Sequence, residues 1–267
     1  MLRMGRKLSR FHDNQASQLV EVAELDGVRS LYIGSDTIQS SMRLNSPDTL
    51  ELAYARGMMS FLLFNANPSD VLILGLGGGS IAKFLYRFLL DTRTTVLEIN
   101  PGVIEVARSL FYLPENDARL LVIEGDGIAY LSEKSQACDV LMLDAYDANG
   151  VAPEMVSQAF FDQCARVLKA DGILAVNLWG SDKNFQVYFD RIKLSFGQRA
   201  LMLRTGRPGN IIVLAFAKMP SELRWQALRE RAKKLEQVYE IEFLQFTERL
   251  KDDNPCSEHR LFLGASF

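Results

Sequence analysis

Apolar positions follow three successive rhythms along the chain. From about Gln18 to Met42, short runs rich in Val, Ile, Leu and Tyr are broken by Leu25-Asp26-Gly27 and Gly34-Ser35-Asp36. Turn-forming residues between β-prone runs predict a small β-meander. Pro47 and Asp48 then open a stretch in which Leu50, Leu52, Ala53, Met58, Phe61 and Leu62 recur at helical spacing. That predicts a helix capped by the Asp and stopped before Pro68. Ahead of the meander, Arg3, Arg6, Lys7 and Arg10 are followed by no apolar run. A flexible, solvated start is expected there, and no secretory signal.

From Asp70 short apolar runs alternate with helical patterns. Val71 to Leu74, Thr95 to Ile99, Leu120 to Ile123, Val140 to Leu143 and Ile173 to Asn177 read as strands. Ser80 to Leu90, Pro101 to Phe111, Ile128 to Ser132 and Glu154 to Leu168 read as helices. This alternation implies right-handed βαβ units and a parallel sheet covered on both faces. Ligands of such sheets bind beyond the carboxyl ends of the strands.

The third rhythm begins where Ala200 to Arg204 and Asn210 to Ala217 are joined by Thr205-Gly206-Arg207-Pro208-Gly209. So short a link leaves no room for a crossover helix and requires an antiparallel hairpin. An α/β chain whose parallel sheet ends in such a hairpin resembles the Rossmann-like class I S-adenosylmethionine-dependent transferase fold more than a plain dinucleotide fold. Ser221 to Lys251 is expected to be helical. Its basic run Arg224 to Lys234 reads as the solvated face of an amphipathic helix anchored by Leu223, Leu228 and Leu235. The expected division is 1–66, a β-meander plus helix; 67–219, the Rossmann-like catalytic part; and 220–267, a helical extension.

Composition narrows the function. With 48% apolar and 24% charged residues and a formal net charge of −3, the chain reads as globular and carries no general footprint for nucleic acid. The longest uncharged stretch, Gly57 to Ser69, is too short and too polar to span a bilayer. A cytoplasmic protein is expected. Cys138, Cys164 and Cys256 lie far apart with no metal or redox spacing, so no metal site is expected. His12 and His259 lie near the two ends, so central chemistry falls to carboxylates, tyrosines and backbone dipoles.

Val71 to Ser80 reads VLILGLGGGS, a buried-type strand running into Gly75, Gly77, Gly78 and Gly79 and then a helix. Glycines let a ligand approach the backbone, and the helix start offers unpaired N–H groups. A tight structural turn would use the same residues. Glu98 ends the next strand, where a carboxylate can accept both hydroxyls of a ribose. Gly125-Asp126-Gly127 follows the third strand and places a carboxylate within reach of an adenine amino group. The three elements fit an adenosine-bearing cofactor, either NAD or an S-adenosyl compound; the hairpin and the residues after the fourth strand favour the latter.

After the fourth strand comes Asp144-Ala145-Tyr146-Asp147. Two carboxylates there suit a cationic amine. An alkyl amine, with a pKa of about 10, arrives protonated and must lose a proton before it attacks carbon. A helix-capping or turn-forming acid pair is the plainer alternative. Trp179 and Tyr188, just past the fifth strand, either line a substrate pocket or pack beneath that loop, and packing is the expectation.

On these residues the chain resembles the spermidine synthase family of polyamine aminopropyltransferases, from about Val20 to Ala217. The likeness is carried by the glycine-rich loop after VLIL, by LEINPGVIEVAR (Leu97 to Arg108), by EGDG (Glu124 to Gly127) and by LDAYD (Leu143 to Asp147). The resemblance implies that Glu98 holds the ribose, Asp126 the adenine edge and Gln39 the cofactor, together with Gly75, Gly77 and Gly127. It implies that Asp144 is the base-like catalytic carboxylate, and that Asp147 and Tyr54 bind the substrate amine. The implied reaction moves the aminopropyl group of decarboxylated S-adenosylmethionine to an amine such as putrescine and releases methylthioadenosine, with no metal. A homodimer built through the N-terminal part is also implied.

Three departures stand beside the likeness. The family's acid in the glycine-rich loop is Gly78 here; Tyr54-Ala55-Arg56 replaces Tyr-His/Gln-Glu; and Ala148 to Pro153 replaces the proline-glycine segment after the second aspartate. They keep open two alternatives, a methyltransferase using ordinary S-adenosylmethionine and a non-catalytic nucleoside-binding homologue.

Overall fold

The computed structural model describes residues 6–11, 19–145, 150–206 and 209–264. Four antiparallel strands, β1 (Arg6–Phe11), β2 (Val20–Leu25), β3 (Val28–Ile33) and β4 (Ile38–Arg43), make a sheet in chain order. Asp26 and Gly27 connect β2 to β3 with positive φ of 51° and 76°. Two consecutive left-handed residues give the turn whose twist matches the flanking strands. The expected flexible start is corrected over 6–11, while Arg3 lies outside the described residues. Arg6–Phe11 pairs along β2, Arg6 opposite Glu24 and Phe11 opposite Val20. The open edge of β2 offers unpaired N–H and C=O groups, and a basic segment free of proline suits the edge position it then occupies.

The helix expected from Asp48 starts later. α1 spans Ala53–Met58 and continues as a 3-10 helix over Met59–Leu63, and no side chain caps it. The preceding carbonyls are already taken by side chains: Pro47 O accepts from Lys83 at 2.8 Å, and Leu50 O and Glu51 O accept from Arg56 at 3.1 and 2.7 Å. Backbone groups satisfied in that way have no need of a helical ladder.

The second sheet has seven strands in the order β10-β11-β9-β8-β5-β6-β7. β5 (Asp70–Leu74), β6 (Arg93–Glu98), β7 (Leu120–Glu124), β8 (Cys138–Leu143) and β9 (Leu168–Trp179) are parallel. β10 (Ala200–Arg204) and β11 (Asn210–Phe216) form the antiparallel hairpin, with β11 against β9. Side chains alternate across it. Val71, Ile73, Val140 and Met142 enter one core, shared with α2 (Ser80–Phe88) and α3 (Pro101–Phe111). Leu72, Leu74, Leu141 and Leu143 enter the other, shared with α4 (Gly127–Ser132), α5 (Gln158–Val167) and α6 (Phe185–Ser195). Burial on both faces is why these strands are apolar throughout.

Two helical expectations divide. The stretch from Glu154 becomes a 3-10 turn, Pro153–Val156, and then α5, capped by the Ser157 hydroxyl accepting from Phe160 N at 3.2 Å. The C-terminal stretch becomes α7 (Trp225–Tyr239) and α8 (Phe243–Asp253), because Glu240 adopts φ of 56° and ends α7. A left-handed residue at that place closes a helix. Leu223, Leu228 and Leu235 are buried as anticipated.

Lys83, on α2, ties that helix to β4 and to the end of α3. It is 1% exposed, and its ammonium donates to Met42 Sδ, Pro47 O and Phe111 O. Burial pulls its pKa down to about 8. No helix among the described residues is long and apolar enough to cross a membrane.

Candidate active site

The strand order turns at β5. β6 and β7 are added on one side and β8 and β9 on the other, so the connections leaving β5 and β8 part and open a crevice above their carboxyl ends. A cavity of about 1030 Å³ occupies it. Gln39, Tyr54, Gly75, Gly77, Glu98, Asp126, Gly127 and Asp144 all line it. Asp147 lies outside the described residues.

Gly75 has φ of 96°, and a Cβ there would collide with the main chain of Asp144. Glycine is what lets the ends of β5 and β8 touch. Gly77 also has positive φ and faces Ser40, and a Cβ on Gly127 would meet Leu74 at 2.9 Å. Gly78 turns the other way: a Cβ there would lie 2.7 Å from the Phe111 ring and 2.8 Å from Ser40 Oγ. A carboxylate at that position would have no room without a shift of its neighbours.

Glu98 closes β6 with both oxygens engaged, Oε2 accepting from Leu76 N at 3.0 Å and Oε1 from Asn100 N at 2.8 Å. Burial raises its pKa, while the N–H donors of Asn100, Leu76 and Ile99 oppose the rise. It thereby braces the glycine-rich loop, and each oxygen retains lone-pair capacity for a hydroxyl donor. Asp126 caps α4, Oδ1 accepting from Ile128 N at 2.8 Å and from Ala129 N at 3.4 Å. The capping interpretation and a place on the cavity wall hold together for this residue.

Asp144 follows β8. Its Oδ1 accepts from Asn177 Nδ2 at 2.8 Å. Burial pushes its pKa up to about 6, with the Asn177 amide and the Tyr54 hydroxyl acting in the opposite direction. Tyr54, on α1, donates to Gln39 O at 2.9 Å. Burial first, and then the Asp144 carboxylate, hold its phenol well above the ordinary tyrosine pKa. The cavity wall also carries Glu124 and Glu154; among the described residues no Lys, Arg or His lines it. An anionic cleft with one carboxylate poised near neutrality can hold an alkylammonium and receive its proton.

Ala55 and Arg56 do not line the cavity. Ala55 is buried in the core and Arg56 is paired with Glu242. Trp179, 45% exposed, does line it, while Tyr188 packs against the second core. Thus the packing expectation holds for Tyr188 and is corrected for Trp179, which the end of β9 carries out onto the cleft. Sequence reasoning missed Asn177 and Asn210. The available signal was an amide inside ILAVNLW, since a buried polar residue in an apolar strand must have a partner.

Comparison with known proteins adds four findings. A family model for the spermine/spermidine synthase domain matches residues 51–185. A polyamine aminopropyltransferase from Chromobacterium violaceum is 40% identical over 249 residues, 93% of this chain and 95% of that protein. Among solved structures, a spermidine synthase in complex with the transition state analogue AdoDATO superposes with a TM-score of 0.72 at 19% identity, over 91% of this chain and 85% of the other. Human methyltransferase-like protein 13 in complex with SAH superposes with a TM-score of 0.63 at 22% identity, over 78% of this chain and 96% of the other. The last two likenesses concern the fold.

Proposed function

The chain belongs to the spermine/spermidine synthase family, and from that premise we propose that it transfers the aminopropyl group of decarboxylated S-adenosylmethionine to a small alkyl amine such as putrescine. The acceptor nitrogen attacks the methylene bonded to the sulfonium. The new C–N bond forms as the C–S bond breaks, and its electron pair stays on sulfur, leaving neutral methylthioadenosine. The proton shed by the ammonium goes to Asp144. The single observation that carries this reading is that Asp144, just past the end of β8, lines an anionic cleft, where burial pushes its pKa up to about 6.

Glu98 serves the ribose hydroxyls and Asp126 the adenine edge, with Gln39, Gly75, Gly77 and Gly127 completing the donor's seat. Tyr54 and Asp147 receive the amine. The described wall carries Glu98, Glu124, Asp126, Asp144 and Glu154, and an acidic wall suits a cationic aminopropyl group better than a donor bearing a carboxylate, which favours the decarboxylated donor over the methyltransferase alternative. Catalysis then rests on alignment and on ground-state deprotonation. We take the enzyme to be cytoplasmic and to act as a homodimer.

The test is mass spectrometry of the products formed with putrescine and either donor. Spermidine and methylthioadenosine from the decarboxylated donor alone, lost in Asp144→Asn, are expected. A methylated product from the carboxylated donor would establish the alternative.

A further inference from the structure

We propose that Asn177 and Asn210 are positioning residues that fix the orientation of the Asp144 carboxylate and set how readily it takes a proton. The inference rests on the reading of Asp144 given above.

Three side chains form a row across the carboxyl end of the sheet. Asn177 Nδ2 donates to Asp144 Oδ1 at 2.8 Å, and Asn177 Oδ1 accepts from Asn210 Nδ2, also at 2.8 Å. Asn177 is 3% exposed, so water does not compete for either bond. A carboxamide has two ends of opposite character. If Asn177 turned over, its oxygen would face a carboxylate oxygen; the donor from Asn210 removes that choice, because only one orientation makes both bonds.

The outer end of the row is itself anchored. Asn210 opens β11 opposite Trp179, and its main-chain carbonyl accepts from Thr205 N at 3.0 Å and Thr205 Oγ1 at 2.8 Å. Arg249 of α8 donates to Thr205 O at 3.2 Å. The hairpin turn and the C-terminal helix therefore bear on the carboxylate through two amides.

A donor to the charged form of an acid lowers its pKa, and burial raises it. From α1, Asp144 faces Tyr54, which also supports its charge. Among the described residues, the other titratable groups lining the cleft are Glu98 of β6, Glu124 of β7, Asp126 before α4 and Glu154, all acidic. Asn177 is thus the neutral donor that opposes burial from the sheet side.

The test labels aspartate carboxyl carbons with ¹³C and follows Asp144 by NMR, its signal identified by its loss in Asp144→Asn. Asn177→Leu removes the donor, Asn177→Asp replaces it with a like charge at equal size, and Asn210→Leu frees the amide to turn. The titration midpoint should rise by about one unit or more in both Asn177 variants and by less in Asn210→Leu. The acid limb of kcat should move with it, so that turnover falls about twofold or more near pH 7 and recovers near pH 9. An unmoved midpoint in folded Asn177→Asp and Asn210→Leu, or an activity loss equal at every pH, overturns the proposal. A midpoint that moves in a protein that forms no methylthioadenosine from any amine refutes the proposed function and leaves the control of Asp144 standing.

Discussion

Arg56 and Glu242 are paired, Nε lying 3.0 Å from Oε1 and 2.9 Å from Oε2, while Nη1 of the same guanidinium holds the carbonyls of Leu50 and Glu51. A cation that the resemblance would have set against an incoming diamine is instead spent joining α1 to α8. The departure at this position is therefore one of architecture. Arg56→Ala should leave the amine KM within about twofold and cost about 1–3 kcal/mol of stability, since it strands a partly buried carboxylate and two carbonyls. Urea unfolding beside steady-state kinetics checks both; a markedly lower KM would mean the charge does reach the acceptor.

Gly75→Ala should abolish nucleoside binding. Its φ of 96° disfavours any Cβ by about 1–2 kcal/mol, and the clash falls on the backbone of Asp144, which cannot rotate away. The ends of β5 and β8 must then separate and the cleft must change shape. Calorimetry with methylthioadenosine, together with a thermal melt, reads the outcome. Wild-type affinity in the variant would show that the close approach is dispensable.

The fold was largely legible because its signals are local. Apolar runs of strand length, the glycine turn after Leu74 and the short link from Arg204 to Asn210 admit few topologies. The acids lining the cleft were legible for a related reason, since Glu98, Asp126 and Asp144 each lie at or just beyond the end of such a run. What escaped depends on contacts distant in sequence. Nothing near Lys83 announces that three acceptors from elsewhere in the chain will bury its ammonium. Asp48 has the chemistry of a cap, but the carbonyls that would start its helix are claimed by Lys83 and Arg56. β1 lacks a clear pattern of its own and is specified by the edge it pairs with.

Asp144→Asn should inactivate the enzyme and raise its stability. A carboxyl pKa raised from 3.8 to about 6 means that the folded state binds the proton more tightly than the unfolded chain does. Ionisation therefore destabilises the native state above pH 6, by a few kcal/mol at about 1.4 kcal/mol per unit, and the penalty is relieved as pH falls from 6 toward 4. A neutral amide removes it. Thermal melts should show a higher Tm for the variant at pH 7.5 and a narrowing gap toward pH 4.5. Wild-type activity should fall on acidification through pH 6 as the base is lost. A variant less stable than wild type at pH 7.5 contradicts the account.

Trp179 is expected to contribute to affinity for the acceptor. It ends β9 two positions beyond Asn177, on the same face of the strand, and lines the cleft while 45% exposed. An ammonium drawn toward Asp144 passes an indole, whose face attracts a cation by about 0.5–2 kcal/mol. Trp179→Ala should therefore raise the putrescine KM by roughly two- to thirtyfold. Trp179→Phe should lie between, because a smaller aromatic face attracts less strongly. The proposed donor seat, at Glu98 and the glycine-rich loop, belongs to the ends of β6 and β5 and not to β9, so methylthioadenosine affinity should stay within about twofold. Equal loss of donor and acceptor affinity would assign Trp179 to the shape of the whole cleft, and an unchanged KM would remove it from recognition.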